Sequence, residues 1–359
     1  MRCSDLRTAA ACVLLLSAVA ATGLGQTAAR SAPSRPLAKV RLAGADYHDA
    51  ADFGARFGLK AVRSDEGRQL TLKSTWTTIV LEMDTRECSI NGVRVFLGEP
   101  VREHRGTLHL SRIDAEKLLT PILLPGSGES QVPVVRTIVI DPGHGGGDPG
   151  MQNRALKLEE KTLTLDTALR LKKLLERQGY RVVLTRRDDR ALARTKKTDL
   201  QKRGEMTVST RADLFISLHY NSVESGADRV TGVEVYSLTP QYQYSHSDPD
   251  REDSTVAIAN PGNRQDHWNA LLAYTLHREL LSGLKASDRG LKRGRLAVLR
   301  VTSAPAVLVE AGFLSNDTEA RKIATPAYRQ KIAEAIAEGV RIYANTVEGV
   351  RRQRAAGKS

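Results

Sequence analysis

Cysteine is scarce in this chain. Of 359 residues only three are cysteines, and Cys3 and Cys12 lie near the start. If the leading segment is removed on export, Cys88 remains alone and no intramolecular disulfide can form, which excludes a disulfide-stapled fold. A lone thiol without a neighbouring histidine reads as a small buried hydrophobe rather than a nucleophile. A membrane span is missing as well, since the apolar run from about Ala9 to Ala21 is too short and too rich in alanine. Arg2 and Arg7 precede that run and small residues around Gly23-Leu24-Gly25 follow it, so residues 1–25 read as a secretory signal. Cys12 sits inside the run rather than after it, which does not fit a lipoprotein anchor. No internal repeat is visible.

An apolar share of 41% is compatible with a real core, and the net charge of +13 predicts attraction to polyanions. For an exported chain these are anionic cell-wall polymers or a membrane surface before nucleic acid. The basic runs Arg186-Arg187, Lys196-Lys197, Lys202-Arg203 and Arg351-Arg352-Gln353-Arg354 read first as solvated faces.

Residues 26–37, rich in Ala, Ser and Pro, read as a linker, and 38–124 as a small α+β accessory domain. Within it, Asp49 to Phe57 is helix-like, and 69–73 and 77–83 read as strands. Asn91-Gly92 between two alternating runs signals a hairpin, and a helix follows from Ile113 to Leu119. His104 and His109 read as ordinary strand or surface residues. The element order and the Ile90-Asn91-Gly92-Val93 hairpin resemble the accessory domain named for its likeness to the N-terminal domain of copper amine oxidases. Pro and Gly mark 125–133 as a second linker, and 347–359 forms a basic tail.

From 134 to 346 strands and helices alternate: strand 137–141, helix 160–178, strand 181–185, helix 199–209, strands 214–218 and 232–238, helix 267–284, strands 296–300 and 306–309, and a helix from 325. This order predicts an α/β fold with a twisted, mostly parallel sheet covered by helices on both faces. Three strands lead into groups able to bind a metal or move a proton: 137–141 into His144, 214–218 into His219, and 306–309 into Glu310. Ligands collect at the carboxyl ends of parallel strands, so these distant residues can converge. Glu159 and Glu160, where a helix begins, add a carboxylate favoured by the helix dipole. Two histidines, one carboxylate and an open position form a catalytic zinc set, leaving a further carboxylate to accept a proton.

The segments 138–150 (IVIDPGHGGGDPG), 160–165 (EKTLTL), 212–222 (ADLFISLHYNS) and 307–316 (VLVEAGFLSN) resemble the four motifs of the zinc-dependent N-acetylmuramoyl-L-alanine amidases of the amidase 3 type. The resemblance implies that His144, Glu160 and His219 bind zinc and that Glu310 is the catalytic carboxylate. It implies Glu160 rather than Glu159, because the family places Lys directly after the ligand. It further implies a peptidoglycan substrate cut between N-acetylmuramic acid and L-alanine, with a protein activator as an open question. Tyr220 stands where the family commonly has a small residue, where it would narrow the cleft or stack on substrate. Asn221, Lys292 and Arg293 are further candidate substrate contacts, the basic pair for stem-peptide carboxylates. The polar segment from Tyr242 to about Arg264 reads as a cleft loop, and His246 and His267 beside it are not expected to be ligands.

Two rival readings remain. Gly145 to Gly150 also satisfies G-x-G-x-x-G, with Asp166 downstream, but Pro149 delays the helix that a dinucleotide fingerprint must open at once. The other is a wall-binding protein that kept the fold and lost the chemistry, against which stands the retention of all four groups.

Overall fold

The computed structural model describes residues 36–128, 131–246 and 255–357. The expected signal, most of the first linker and part of the 242–264 loop lie outside them. The first half comprises β1 (Val40–Leu42), β2 (Ala45–Asp49), α1 (Ala50–Ala55), β3 (Lys60–Arg63), β4 (Gln69–Lys73), β5 (Thr78–Glu82), β6 (Glu87–Ile90), β7 (Val93–Phe96), β8 (Arg102–His104) and β9 (Thr107–Ser111). The Asp49 side chain starts α1 by accepting the amides of Ala51 and Asp52. Asn91 and Gly92 both take positive φ and close the β6–β7 hairpin, as their sequence predicts. A helical run then passes through α2 (Arg112–Asp114), a π-type turn (Ala115–Leu119) and α3 (Thr120–Leu123).

The second half comprises β10 (Thr137–Pro142), β11 (Gln152–Asn153), β12 (Leu158–Glu159), α4 (Glu160–Arg177), β13 (Arg181–Leu184), α5 (Lys196–Ser209), β14 (Leu214–Asn221) and β15 (Val233–Leu238). After these come α6 (Asp266–Leu284), β16 (Asp288–Gly294), α7 (Ala297–Arg300), β17 (Ala306–Phe313), α8 (Asp317–Ile323) and α9 (Pro326–Ala356). Residues 296–300, expected as a strand, supply helix α7 instead, and the strand lies just before it at β16. A four-residue apolar run, Leu296 to Leu299, suits either state, and here Val298 and Leu299 pack a helical turn onto the sheet. Thr325 caps α9 with Pro326 at its first position, and the helix continues through the expected basic tail.

One mixed sheet of eleven strands organises both halves, in the order β13-β10-β14-β17-β15-β16-β7-β6-β5-β4-β3. Strands β13, β10, β14 and β17 are parallel, and β15 turns against β17. Every residue of β10 is buried, as a central parallel strand covered on both faces requires. Leu163, Ala168, Leu171 and Leu175 of α4 pack on one face together with α6 and α9. The other face carries a smaller cluster, in which Phe215 and Leu308 meet Val298 and Leu299 of α7. The uneven cover matters. His219 and Glu310 lie two residues beyond Ser217 and Leu308, and so on the lightly covered face.

The first half adds its meander to this sheet where Val95 of β7 pairs with Leu291 of β16. Asp288 accepts the Arg94 amide at 2.8 Å and faces His277 at 2.7 Å, and the Tyr274 hydroxyl reaches the Ile90 carbonyl. Beneath the junction Asp114, fully buried, accepts the amides of Gly98 and Glu99 and the guanidinium of Arg293. Burial opposes ionisation of Asp114, but Arg293 and the amide donors outweigh it and hold the carboxyl below its ordinary range. Arg293, expected as a substrate contact, is therefore a structural partner enclosed on the junction side.

Breaking this pair strands a buried cation. Asp114→Ala is expected to lower unfolding free energy by about 3–5 kcal/mol in urea titration. Since the folded pKa is depressed, the pair's contribution is present above the unfolded carboxylate value and fades as pH falls through the folded one. The gap between wild type and variant should therefore narrow on acidification, and a gap constant from neutral to acid pH would contradict this account.

Candidate active site

The site begins with how the chain leaves β10. Asp141, fully buried at that strand's end, accepts the hydroxyls of Thr185 at 2.6 Å and Ser217 at 2.8 Å and the Arg203 guanidinium at 3.0 Å. Arg203 also donates to the carbonyls of Pro142 and His144, while Arg186 donates to those of Pro142, Gly143 and Lys161. Expected as parts of solvated basic runs, Arg186 and Arg203 are 1% and 2% exposed. In the loop after β10, Gly145 and Asp148 pair with each other, while the two guanidinium groups satisfy the carbonyls of Pro142, Gly143 and His144. His144 takes φ 63° there, a left-handed conformation rare outside glycine.

That turn aims His144 at the first residue of α4. Glu160, 4% exposed, lies between two imidazoles: one carboxylate oxygen is 3.1 Å from His144 Nε2 and the other 2.9 Å from His219 Nδ1. The amides of Met151 and Tyr220 donate to the same two oxygens at 2.9 and 3.0 Å. Burial opposes charge on Glu160, yet the hydrogen bonds and charges of the two histidines outweigh it and depress its pKa. Burial also opposes charge on His144, and there Glu160 and Asp148, the latter 3.0 Å from Nδ1, win and raise the pKa. Glu159 takes no part, since its carboxylate lies 2.9 Å from the Gln152 amide and 3.6 Å from Lys161 at the surface.

His144, Glu160 and His219 each offer one donor atom, and these atoms lie within 4.8 Å of one another. The space around them depends on glycine. A Cβ at Gly150 would stand 2.5 Å from the Glu160 carboxylate and 2.6 Å from the His144 ring, and one at Gly143 would overlap the His219 ring. Two imidazole nitrogens and a carboxylate oxygen, kept apart from side-chain bulk, are the donor set a divalent zinc ion takes, with a coordination position left for substrate. The residues present fit that ion.

Beyond His219 the sheet register continues the site. His219 pairs with Glu310, and Glu310 with Glu234, so three titratable groups stand in one row across β14, β17 and β15. Among the described residues Glu310 Oε2 is enclosed without a hydrogen-bond partner. Burial and the charges of Glu160 and Glu234 push its pKa well up, with Lys292 opposing. Glu234, 1% exposed, accepts Asn221 at 2.5 Å, the Tyr236 hydroxyl at 2.9 Å and the Lys292 ammonium. Asn221 and Lys292 thus lie beside the row, but bonded to Glu234. Tyr220 does not line the cleft: it is 2% exposed on the opposite face, with its hydroxyl 2.7 Å from that of Thr167 on α4. Alternation along β14 forces this, because His219 and Tyr220 must point to opposite faces.

Sequence reasoning missed Glu234, Asp148 and the Arg186–Arg203 support. Glu234 gave one signal, an acidic residue inside the apolar run Val233 to Leu238. His246 and His267 stand apart from the donor cluster, His246 against the Phe96 ring and His267 on the Pro125 carbonyl.

An α/β sheet with a two-histidine, one-carboxylate cluster at its strand ends and a half-buried glutamate beside it is a hydrolase-type arrangement. Residues 138–341 match the profile of the amidase 3 family, described as N-acetylmuramoyl-L-alanine amidase, and the chain belongs to that family. It is 34% identical over 209 residues to an uncharacterized cell wall amidase of Bacillus anthracis, covering 58% of this chain and 35% of that protein. To the N-acetylmuramoyl-L-alanine amidase AmiC of Neisseria meningitidis it is 33% identical over 241 residues, covering 62% and 55% respectively. The chain thus matches well under two thirds of either relative's length. The crystal structure of an N-acetylmuramoyl-L-alanine amidase from Clostridium difficile 630 aligns with a TM-score of 0.46 at 29% identity, covering 59% of this chain and 97% of that one.

Gly143 has no positive φ to protect, so Gly143→Ala isolates the steric role. Metal affinity, followed by competition with a chromophoric chelator, should fall by roughly tenfold or more, as when a ligand is displaced, while circular dichroism stays that of wild type. Unchanged affinity would contradict the role assigned to this glycine.

Proposed function

We propose that the protein is a zinc-dependent hydrolase that cuts the amide bond between the lactyl group of N-acetylmuramic acid and the L-alanine of the peptidoglycan stem, for cell-wall remodelling or daughter-cell separation. Membership of the amidase 3 family supports the substrate class. The observation that carries the chemistry is Glu310, a half-buried carboxylate with one enclosed, unpartnered oxygen, in register with His219 of the donor cluster.

In this reading His144, Glu160 and His219 hold the ion. When bound, zinc supplies Lewis acidity that polarises the scissile carbonyl and lowers the pKa of water toward ~7. Glu310 takes the proton from the attacking water and returns it to the leaving nitrogen of L-alanine. Burial and the charges of Glu160 and Glu234 raise its proton affinity, which suits the donation to the amine leaving group. Glu234 sustains this affinity by its charge, and Lys292, Asn221 and Tyr236 fix Glu234 in place. Asp148 lies 3.0 Å from the far nitrogen of the His144 ring, where the partner of a ligating histidine sits.

Export and an accessory role for the first half belong to the same proposal. Among the described residues no helix is long and apolar enough to cross a membrane. The net charge of +13 favours an anionic wall as surroundings.

Mass spectrometry of digests of purified peptidoglycan tests the reaction, with free stem peptides beginning in L-alanine as the expected product. Glu310→Gln should retain one equivalent of zinc and lose about 10²–10⁴-fold in turnover, the usual worth of a general acid–base. His144→Ala should lose both metal and activity. Wall binding without peptide release or stoichiometric zinc would favour a catalytically inactive wall-binding protein instead.

A further inference from the structure

Most cations around the site are already engaged. Lys292 is bonded to Glu234, Arg293 to Asp114, and Arg186 and Arg203 to backbone carbonyls. Arg289 is different. Its guanidinium lies over the Phe313 ring, 5.8 Å from the centroid, and its Nε is enclosed without a hydrogen-bond partner. Among the described residues no carboxylate pairs with it.

A bulge in β16 puts it there. Val233 opposes Asp288 while Val235 opposes Leu291, so Arg289 and Gly290 together stand opposite Glu234. Gly290 takes φ +93°, and a Cβ on it would strike the Phe96 ring at 2.5 Å. Such a bulge breaks the alternation of the strand and re-aims a side chain. Asp288 turns to His277 and the Arg94 amide, whereas Arg289 reaches Phe313, and its charge acts on Tyr236 in the cluster around Glu234.

The reach decides what it can bind. Glu310 pairs with His219 and Phe313 with Asn221, so across this bulge Phe313 lies about two strand rises, ~7 Å, beyond Glu310. An extended peptide advances ~3.5 Å per residue. With the scissile amide at Glu310, a carboxylate on the second stem residue lies about 7 Å away, level with Phe313, and a hydrogen bond of ~3 Å joins it to the guanidinium over that ring. The guanidinium fork matches a planar carboxylate in two parallel bonds.

We propose that Arg289 binds the free α-carboxylate of the second stem residue, an acidic residue joined onward through its side-chain carboxyl, and so makes the enzyme discriminate against stems amidated at that position. The assignment rests on the amidase reading above and adds a specificity-determining residue to it.

The test uses the full chain and two synthetic muramoyl tripeptides that differ only in a free or an amidated α-carboxyl on the second residue. Hydrolysis is followed for both, and calorimetric binding is measured in parallel. Wild type should prefer the free acid by about ten- to a hundred-fold in kcat/KM and in affinity, the usual range for a charge-assisted hydrogen-bond pair. In Arg289→Ala the ratio should collapse to within about twofold, and Arg289→Lys should restore part of it. Lys292→Met, in which Arg289 is intact, should keep the wild-type ratio whatever its absolute rate. Thermal melting of each variant checks that the fold persists. A wild-type ratio near one, or a ratio retained in Arg289→Ala, overturns the proposal. Discriminating binding without hydrolysis would sink the amidase reading and leave the subsite standing, whereas hydrolysis without discrimination would do the reverse.

Discussion

Asp141 is the group on which the site's geometry depends. A carboxylate removed from water in the middle of a sheet is costly unless every oxygen finds donors, and here Thr185, Ser217 and Arg203 supply them from β13's end, β14 and α5. One buried anion thereby fixes the relative positions of three adjacent strands and a helix. Arg203, held by that anion and by Asp199, has donors left over for the carbonyls of Pro142 and His144. The strained turn carrying His144 is thus held by a network whose members are all buried, where each hydrogen bond is worth more than in water.

A second constraint is sheet register. Because β14 and β17 are parallel and β15 is antiparallel, His219, Glu310 and Glu234 meet in one row although they are distant in the chain. The row also accounts for part of the electrostatics, since Glu310, partly withdrawn from water beside Glu234 and near Glu160, must hold its proton more tightly. The lighter cover on that face leaves the row reachable, while α4, α6 and α9 seal the other. The first half extends the same sheet rather than sitting apart from it, with Asp114 and Arg293 buried at the junction. The polar strand Asp288–Gly294 serves both sides, sending Arg293 to the junction and Lys292 to Glu234.

Much of this was legible in the sequence. The strand read at 137–141 leads into His144 as β10 does, and the helix read at 160–178 is α4. The hairpin at Asn91-Gly92 follows from positive φ alone. Other features left no such trace. Strand β16 lacks apolar alternation because its polar side chains are satisfied by partners from elsewhere, so periodicity pointed instead to 296–300. Arg186 and Arg203 look like ordinary surface charges in a basic stretch, since nothing local reveals that a loop across the sheet needs their donors.

The sequence by itself determined the elements and the identity of the groups that can bind a metal or move a proton, because residue chemistry and local periodicity are properties of short stretches. Only the tertiary structure decided which of those groups face one another. It set Glu160 rather than Glu159 between the imidazoles, turned Tyr220 away from the cleft, enclosed Arg293 and, among the described residues, left Arg289 without a carboxylate. These outcomes depend on register, a bulge and the pairing of buried charges, and such long-range constraints exist only once the strands are side by side.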